Sequence, residues 1–192
     1  MKVIAFNGSP RKEGNTFLLI NRVFEELEKQ NIKTELVQLG GNQIRGCKAC
    51  YICSKNKDNR CAQNDDMIND CIAKMAQSDG IIIGSPTYVT DVSPEVKALI
   101  DRGCLVSRAN NHLLKYKAGA AVLAVRRAGS LHAFDTINHF FTINQMMVVG
   151  SIYWNLGIGR DIGEVKKDEE GMKTMEVLGQ NMAWLIKKIC AQ

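Results

Sequence analysis

The stretch "KVIAFNGSPRKEGNT", Lys2 to Thr16, decides the fold. Lys2–Phe6 is a short apolar run, and Asn-Gly-Ser-Pro follows at once. That combination predicts a buried strand running into a loop. Asn15 or Thr16 can cap a helix to about Gln30, with Leu18, Leu19, Val23, Phe24 and Leu27 at helical spacing. In the loop, Gly8 and Gly14 let the backbone bend and expose N–H groups. Ser9, Asn15 and Thr16 offer small polar side chains, and Arg11 offers a charge-assisted contact. The positive end of the following helix points at the same loop. These features suit a phosphate monoester, although a plain strand-to-helix turn would also use several of them. Neither G-x-x-x-x-G-K-[ST] nor G-x-G-x-x-G occurs here, which argues against a nucleotide triphosphatase and a Rossmann-type dinucleotide site.

The alternation of strand and helix continues outward. Thr34–Leu39 reads as a second strand, and Asp65 or Asp66 caps a helix to about Gln77. "GIIIG", Gly80–Gly84, is fully apolar, as at the centre of a parallel sheet. Ser93 and Pro94 open a helix to about Arg108. Ala118–Val125 is a fourth strand, Leu131–Asn144 a helix and Met146–Gly150 a fifth strand. The last helix runs from about Glu169 to Cys190. Such units predict one domain over 1–192, an α/β fold with a doubly wound, five-stranded parallel sheet.

These sheets bind ligands beyond the carboxyl ends of their strands. Two more loops therefore matter. "SPTYVTDVSPEV" places Pro86, Thr87 and Tyr88 where a flat ring could lie, with Tyr88 at its edge or face. "VRRAGSLH" adds Arg126, Arg127 and Gly129. A cation there would stabilise an anionic reduced ring, or the arginines simply face solvent.

The net charge of +5 is spread without blocks, which argues against nucleic acid as a partner. The first apolar run is too short for a secretory or membrane segment, so a cytoplasmic protein with reduced thiols is expected.

With these loops in view, the sequence resembles the flavodoxin-like NADPH-dependent FMN reductase superfamily. "GSPRKEGNT" and "GSPTY" match its two FMN loops, and the likeness covers nearly the whole chain. A cysteine run, "GCKACYICSKNKDNRC" from Gly46 to Cys61, makes it similar to the iron–sulfur flavoproteins within that superfamily. The resemblance implies FMN, with its phosphate on Ser9, Arg11, Asn15 and Thr16. It implies an isoalloxazine ring near Pro86, Thr87, Tyr88 and the Arg126–Gly129 loop. It also implies a homodimer or homotetramer with the flavin at a subunit interface. Ser151–Gly171 resembles the extension this branch carries before its last helix. Its Tyr153 and Trp154 would suit an interface or a flavin cover, or would fold onto their own subunit.

The cysteines admit several readings. Structural zinc sites use two pairs with a longer spacer between them. Here Cys47, Cys50 and Cys53 form one tight run, which suits one face of a 4Fe–4S cubane, and Cys61 is the natural fourth ligand. The cysteine-rich insertion spans 46–64. Zinc and unliganded thiols stay open. Lys55, Lys57 and Arg60 would offset cluster charge, or are ordinary loop charges. Cys71, Cys104 and Cys190 read as small core residues. No side-chain acid or base stands out as catalytic.

Three functions follow. One is a redox protein passing electrons between a cluster, FMN and a partner such as ferredoxin. Another is an NAD(P)H-dependent FMN or quinone reductase without a cluster. The third is a non-enzymatic flavin-binding redox sensor.

Overall fold

The structure, a computed structural model, describes residues 1–191. The chain runs β1 (Lys2–Asn7), α1 (Asn15–Lys29), β2 (Lys33–Gln38), α2 (Ile52–Asn56), α3 (Ile68–Ala76), β3 (Gly80–Pro86) and α4 (Pro94–Ala109). It continues with β4 (Ala118–Val125), α5 (Ser130–Ile143), β5 (Met147–Val148), β6 (Leu156–Ile158), a short 3-10 helix (Glu164–Lys167) and α6 (Glu169–Cys190).

The strands are parallel in the order β2-β1-β3-β4-β5, the flavodoxin-like order. The chain reverses its direction of winding between β1 and β3. Alternate residues of β1 separate the layers: Ile4 and Phe6 face α3, α4 and α5, while Val3 and Ala5 face α1 and α6. β3 and β4 are buried almost throughout, as doubly covered strands must be. Among the described residues no helix is long and apolar enough to cross a membrane.

Glycine sets the fit of α6 on α1. A Cβ at Gly179 would lie 2.7 Å from the Val23 carbonyl and the Glu26 Cβ. Beside this contact, Glu26 accepts from Arg22 at 2.8 Å, Lys29 at 2.7 Å and Gln180 at 3.2 Å. The Lys29 hydrogen bond leads in drawing the Glu26 carboxyl down to about 2, against its burial and with help from Arg22.

Three features depart from the sequence reading, the slightest being that α3 is N-capped by Met67 and not by Asp65 or Asp66. The fifth sheet position is split: β5 pairs only with Ala118 and Gly119, and the chain then loops out. It returns as β6 against Leu123–Val125. β6 escapes a pattern search because it is three residues long with glycine at its centre. A Cβ at Gly157 would come within 2.6 Å of Leu19, so that glycine lets α1 close over the strand. The third departure is α1's start. Its N-cap is Gly14 with no side-chain cap, so neither Asn15 nor Thr16 caps the helix.

Candidate functional site

The uncapped start of α1 has a consequence. The first N–H groups of a helix lack intrahelical partners, and here no side chain takes them. They open toward a cavity of about 180 Å³ at the carboxyl ends of β1, β3 and β4. Ser9, Arg11, Asn15, Thr16, Pro86, Thr87, Tyr88 and Arg126 all line it. The Thr16 hydroxyl is buried and has no hydrogen-bond partner, and neither has the Thr87 hydroxyl. Buried hydroxyls left unpaired are costly unless a ligand completes them. An oxygen-rich anion in this cavity would meet a helix N-terminus, the Thr16 hydroxyl and the Arg11 guanidinium together.

The loop is held by its own polar groups. Ser9 N–H donates to Asn7 Oδ1 at 3.1 Å, and Arg11 N–H to Ser9 Oγ at 3.2 Å. Gln38 Nε2 donates to the Ser9 carbonyl at 2.7 Å. Gly40 presses directly on the Gly8–Ser9 backbone, where no Cβ would fit.

The β3 loop makes a tight turn, in which Tyr88 and Asp91 exchange backbone hydrogen bonds at 2.8 and 3.0 Å. Val89 and Thr90 at its tip have φ of 49° and 68°, a left-handed conformation unusual for β-branched residues. Gly129 does not line the cavity. It adopts φ 89° at the start of α5, packed against Thr90, and so supports the turn from behind.

Three wall residues were not anticipated: Ala124, Gly159 and Arg160. β6 delivers the last two by pairing with the end of β4. Asn15 fixes them there. Its Nδ2 donates to the Asp161 carbonyl at 3.0 Å, and its Oδ1 accepts from Gly163 N–H at 3.0 Å. A neighbouring, wider cleft shares Arg126, Gly159 and Arg160 and adds Lys167. Ile152, Tyr153, Trp154, Ile158 and Ile162 are exposed along this extension. Tyr153 and Trp154 stack edge-on with ring centres 4.5 Å apart, so the aromatics do not fold into their own core.

The second constellation lies in the insertion. Cys47, Cys50, Cys53 and Cys61 line one narrow cavity of about 10 Å³, walled further by Gln63, Arg102, Leu105 and Val106. Cys53 is buried on α2, Cys61 half-buried, and Cys47 and Cys50 exposed. Ala49 and Tyr51, between the first three thiols, have φ of 52° and 55°. The thiols gather around the cavity without closing on one point: among the described residues no three His, Cys, Asp or Glu are placed to hold a single ion. Four thiols around a common cavity form the donor set of iron–sulfur ligation. Lys55, Lys57 and Arg60 are exposed and absent from the wall. The buried cation is Arg102 instead.

The remaining thiols are ordinary. Burial pushes Cys71 up to about 12, so it stays a neutral core group. Cys104 is half-buried, and Cys190 is exposed rather than a core residue as the sequence suggested.

The model of the NADPH-dependent FMN reductase family matches residues 1–161. This chain belongs to that family. An iron-sulfur flavoprotein of Methanocaldococcus jannaschii is 34% identical, over 98% of this chain and 99% of its own. One from Methanosarcina thermophila is 33% identical, over 93% and 95%. The chain thus falls in the iron–sulfur flavoprotein branch, and it is an FMN-dependent oxidoreductase. Solved structures agree on the fold. RosB with a bound flavin-derived intermediate superposes with TM-score 0.73 at 16% identity, covering 100% of this chain and 81% of its own. An archaeal flavodoxin gives 0.62 at 14%, covering 97% and 99%.

Proposed function

We propose that this flavoprotein links one-electron and two-electron carriers, holding FMN in the first cavity and a 4Fe–4S cluster on Cys47, Cys50, Cys53 and Cys61. The observation that carries the reading is the shared cavity of the four thiols, in a chain whose other cavity suits a phosphate. Bound FMN supplies electron transfer in pairs or singly, and a bound cluster supplies it singly.

The chain's own residues do the rest. The N–H groups of α1, with Ser9, Arg11 and Thr16, hold the phosphate. Asn15 ties this loop to the 159–165 segment. Pro86, Thr87 and Tyr88 bound the ring on one side, with Gly129 supporting their turn. Arg126, joined by Arg160, places positive charge where reduction adds negative charge. The exposed aromatics Tyr153 and Trp154 beside this cavity form the contact of a homodimer or homotetramer.

Reduction kinetics test the reading. On oxygen-free protein, reduced ferredoxin should reduce the bound FMN quickly and NADPH slowly, and Cys50→Ser should abolish the ferredoxin route. Rapid reduction by NADPH, unaffected by Cys50→Ser, would instead support a cluster-free NAD(P)H-dependent reductase. Tight FMN with no turnover by any donor would leave a binding or sensing module.

A further inference from the structure

Arg102 is 1% exposed and heads the fully buried side chains by volume. A guanidinium taken out of water costs several kcal/mol unless its donors are met. Here every one of its hydrogen bonds goes to the cysteine insertion and its root. Nη1 donates to the Asp66 carboxylate and to the Arg45 carbonyl at 3.1 Å. Nη2 donates to the Gln63 carbonyl at 2.9 Å. Nε donates to Cys61 Sγ at 3.3 Å. Burial is the largest single influence and works against the charges of Arg102 and Asp66, but their mutual hydrogen bond and the other hydrogen bonds around them together outweigh it and keep both ionised.

The three oxygen contacts would suffice to stitch α4 to the insertion. The fourth needs another reason, because a neutral thiol accepts weakly. A metal-bound thiolate accepts strongly, and a hydrogen bond to a ligand sulfur adjusts a cluster. Cys61 is also the best-anchored of the four cysteines. Buried Asn69 clasps its backbone on both sides, accepting from Cys61 N–H at 2.8 Å and donating to its carbonyl at 3.0 Å. Exposed Cys47 has only the Ala49 N–H, at 3.4 Å.

We propose that Arg102 is a positioning residue for the cluster site. It aims Cys61 Sγ into the cavity as the preformed ligand and donates Nε–H to that sulfur in the loaded protein. The inference rests on the cluster reading above. Asp66 offsets most of the guanidinium's charge, so the effect comes from the directed hydrogen bond. An N–H donor to a ligand sulfur stabilises the more negative, reduced cluster. Arg102 therefore holds the cluster's midpoint potential higher than it would otherwise be.

The test uses the full-length, FMN-loaded chain, with iron content and EPR-monitored redox titration as readouts. Arg102→Lys keeps a charge for Asp66 but cannot reach both partners. It should retain FMN, lose part of its iron, and shift the cluster potential negative. Arg102→Met with Asp66→Leu removes the buried pair together and should shift the potential the same way. Asp66→Asn should leave the potential unshifted or move it positive. If the Arg102 variants do not fold, wild-type protein labelled with ¹⁵N-arginine decides. Its reduced cluster should show a hyperfine coupling to an arginine nitrogen, and absence of that coupling overturns the proposal. A loaded wild type whose Arg102 variants keep iron and potential would overturn it alone. A wild type without iron and sulfide would overturn the cluster reading and this inference together.

Discussion

The two cavities are built in opposite ways. The loop from β1 to α1 is woven into the sheet: Gly8 N–H bonds the Gly84 carbonyl at 2.8 Å, Leu39 and Gly40 N–H bond the Asn7 carbonyl at 2.9 Å, and Ser9 and Thr16 are buried. The insertion has no sheet partner. From Gly46 to Arg60 only Cys53 is buried, and Ala49, Tyr51, Lys57 and Asn59 all take positive φ without being glycine. The first region is finished by the polypeptide. In the second, Cys61 has its backbone clasped on both sides by Asn69, and among the described residues no three of the potential ligands are brought to one point. Preformation suits a cofactor held by neutral and cationic donors. Thiol ligands give up their protons as metal binds, so their final arrangement comes with the metal.

The largest expected effect separates the regions outright. Cys50→Ser should lose all the iron yet keep FMN, measured as metal and flavin per chain. Limited proteolysis should then cut between 47 and 60 and spare the phosphate loop. Loss of both cofactors would merge the two regions and break the contrast. Next, Gly40→Ala strikes the hinge where the insertion leaves the sheet against Gly8 and Ser9. Overpacking there should cost ~1–3 kcal/mol of stability in denaturant unfolding and weaken FMN as well.

A smaller effect belongs to the phosphate loop alone. Thr16→Val should weaken FMN roughly 10-fold through one lost charge-assisted hydrogen bond, with iron content unchanged, measured by flavin titration. The smallest concerns acid. Glu26 is held down to about 2 from an ordinary 4.5, so its contribution is full above the ordinary value. It is lost as pH falls from about 4.5 through about 2. Glu26→Gln should cost about 1 kcal/mol at neutral pH and flatten stability over that acid range, with no change in iron content.

Much of the site was legible because it is local. A strand, a glycine-serine turn and a helix start within fifteen residues announce the loop that lines the first cavity, and apolar Gly80–Gly84 announces the central strand. What was not legible is what distant segments bring. Arg160 reaches the cavity only because β6, too short and glycine-centred to signal itself, pairs with β4. Arg102 sits on α4, far along the chain from Cys61, in a helix whose pattern gives no hint that one cation points inward. The charges that were legible near the thiols, Lys55, Lys57 and Arg60, face solvent. Asn15 looked like a helix cap, but Gly14 is the cap, and the Asn15 side chain braces the extension from the cavity wall.

The most direct test of the two-cofactor account is composition. The protein should be purified without oxygen and assayed for FMN, iron, acid-labile sulfide and zinc. The account predicts one FMN with about four iron and four sulfide per chain. Stoichiometric zinc without sulfide, or FMN with neither metal nor sulfide, would contradict it.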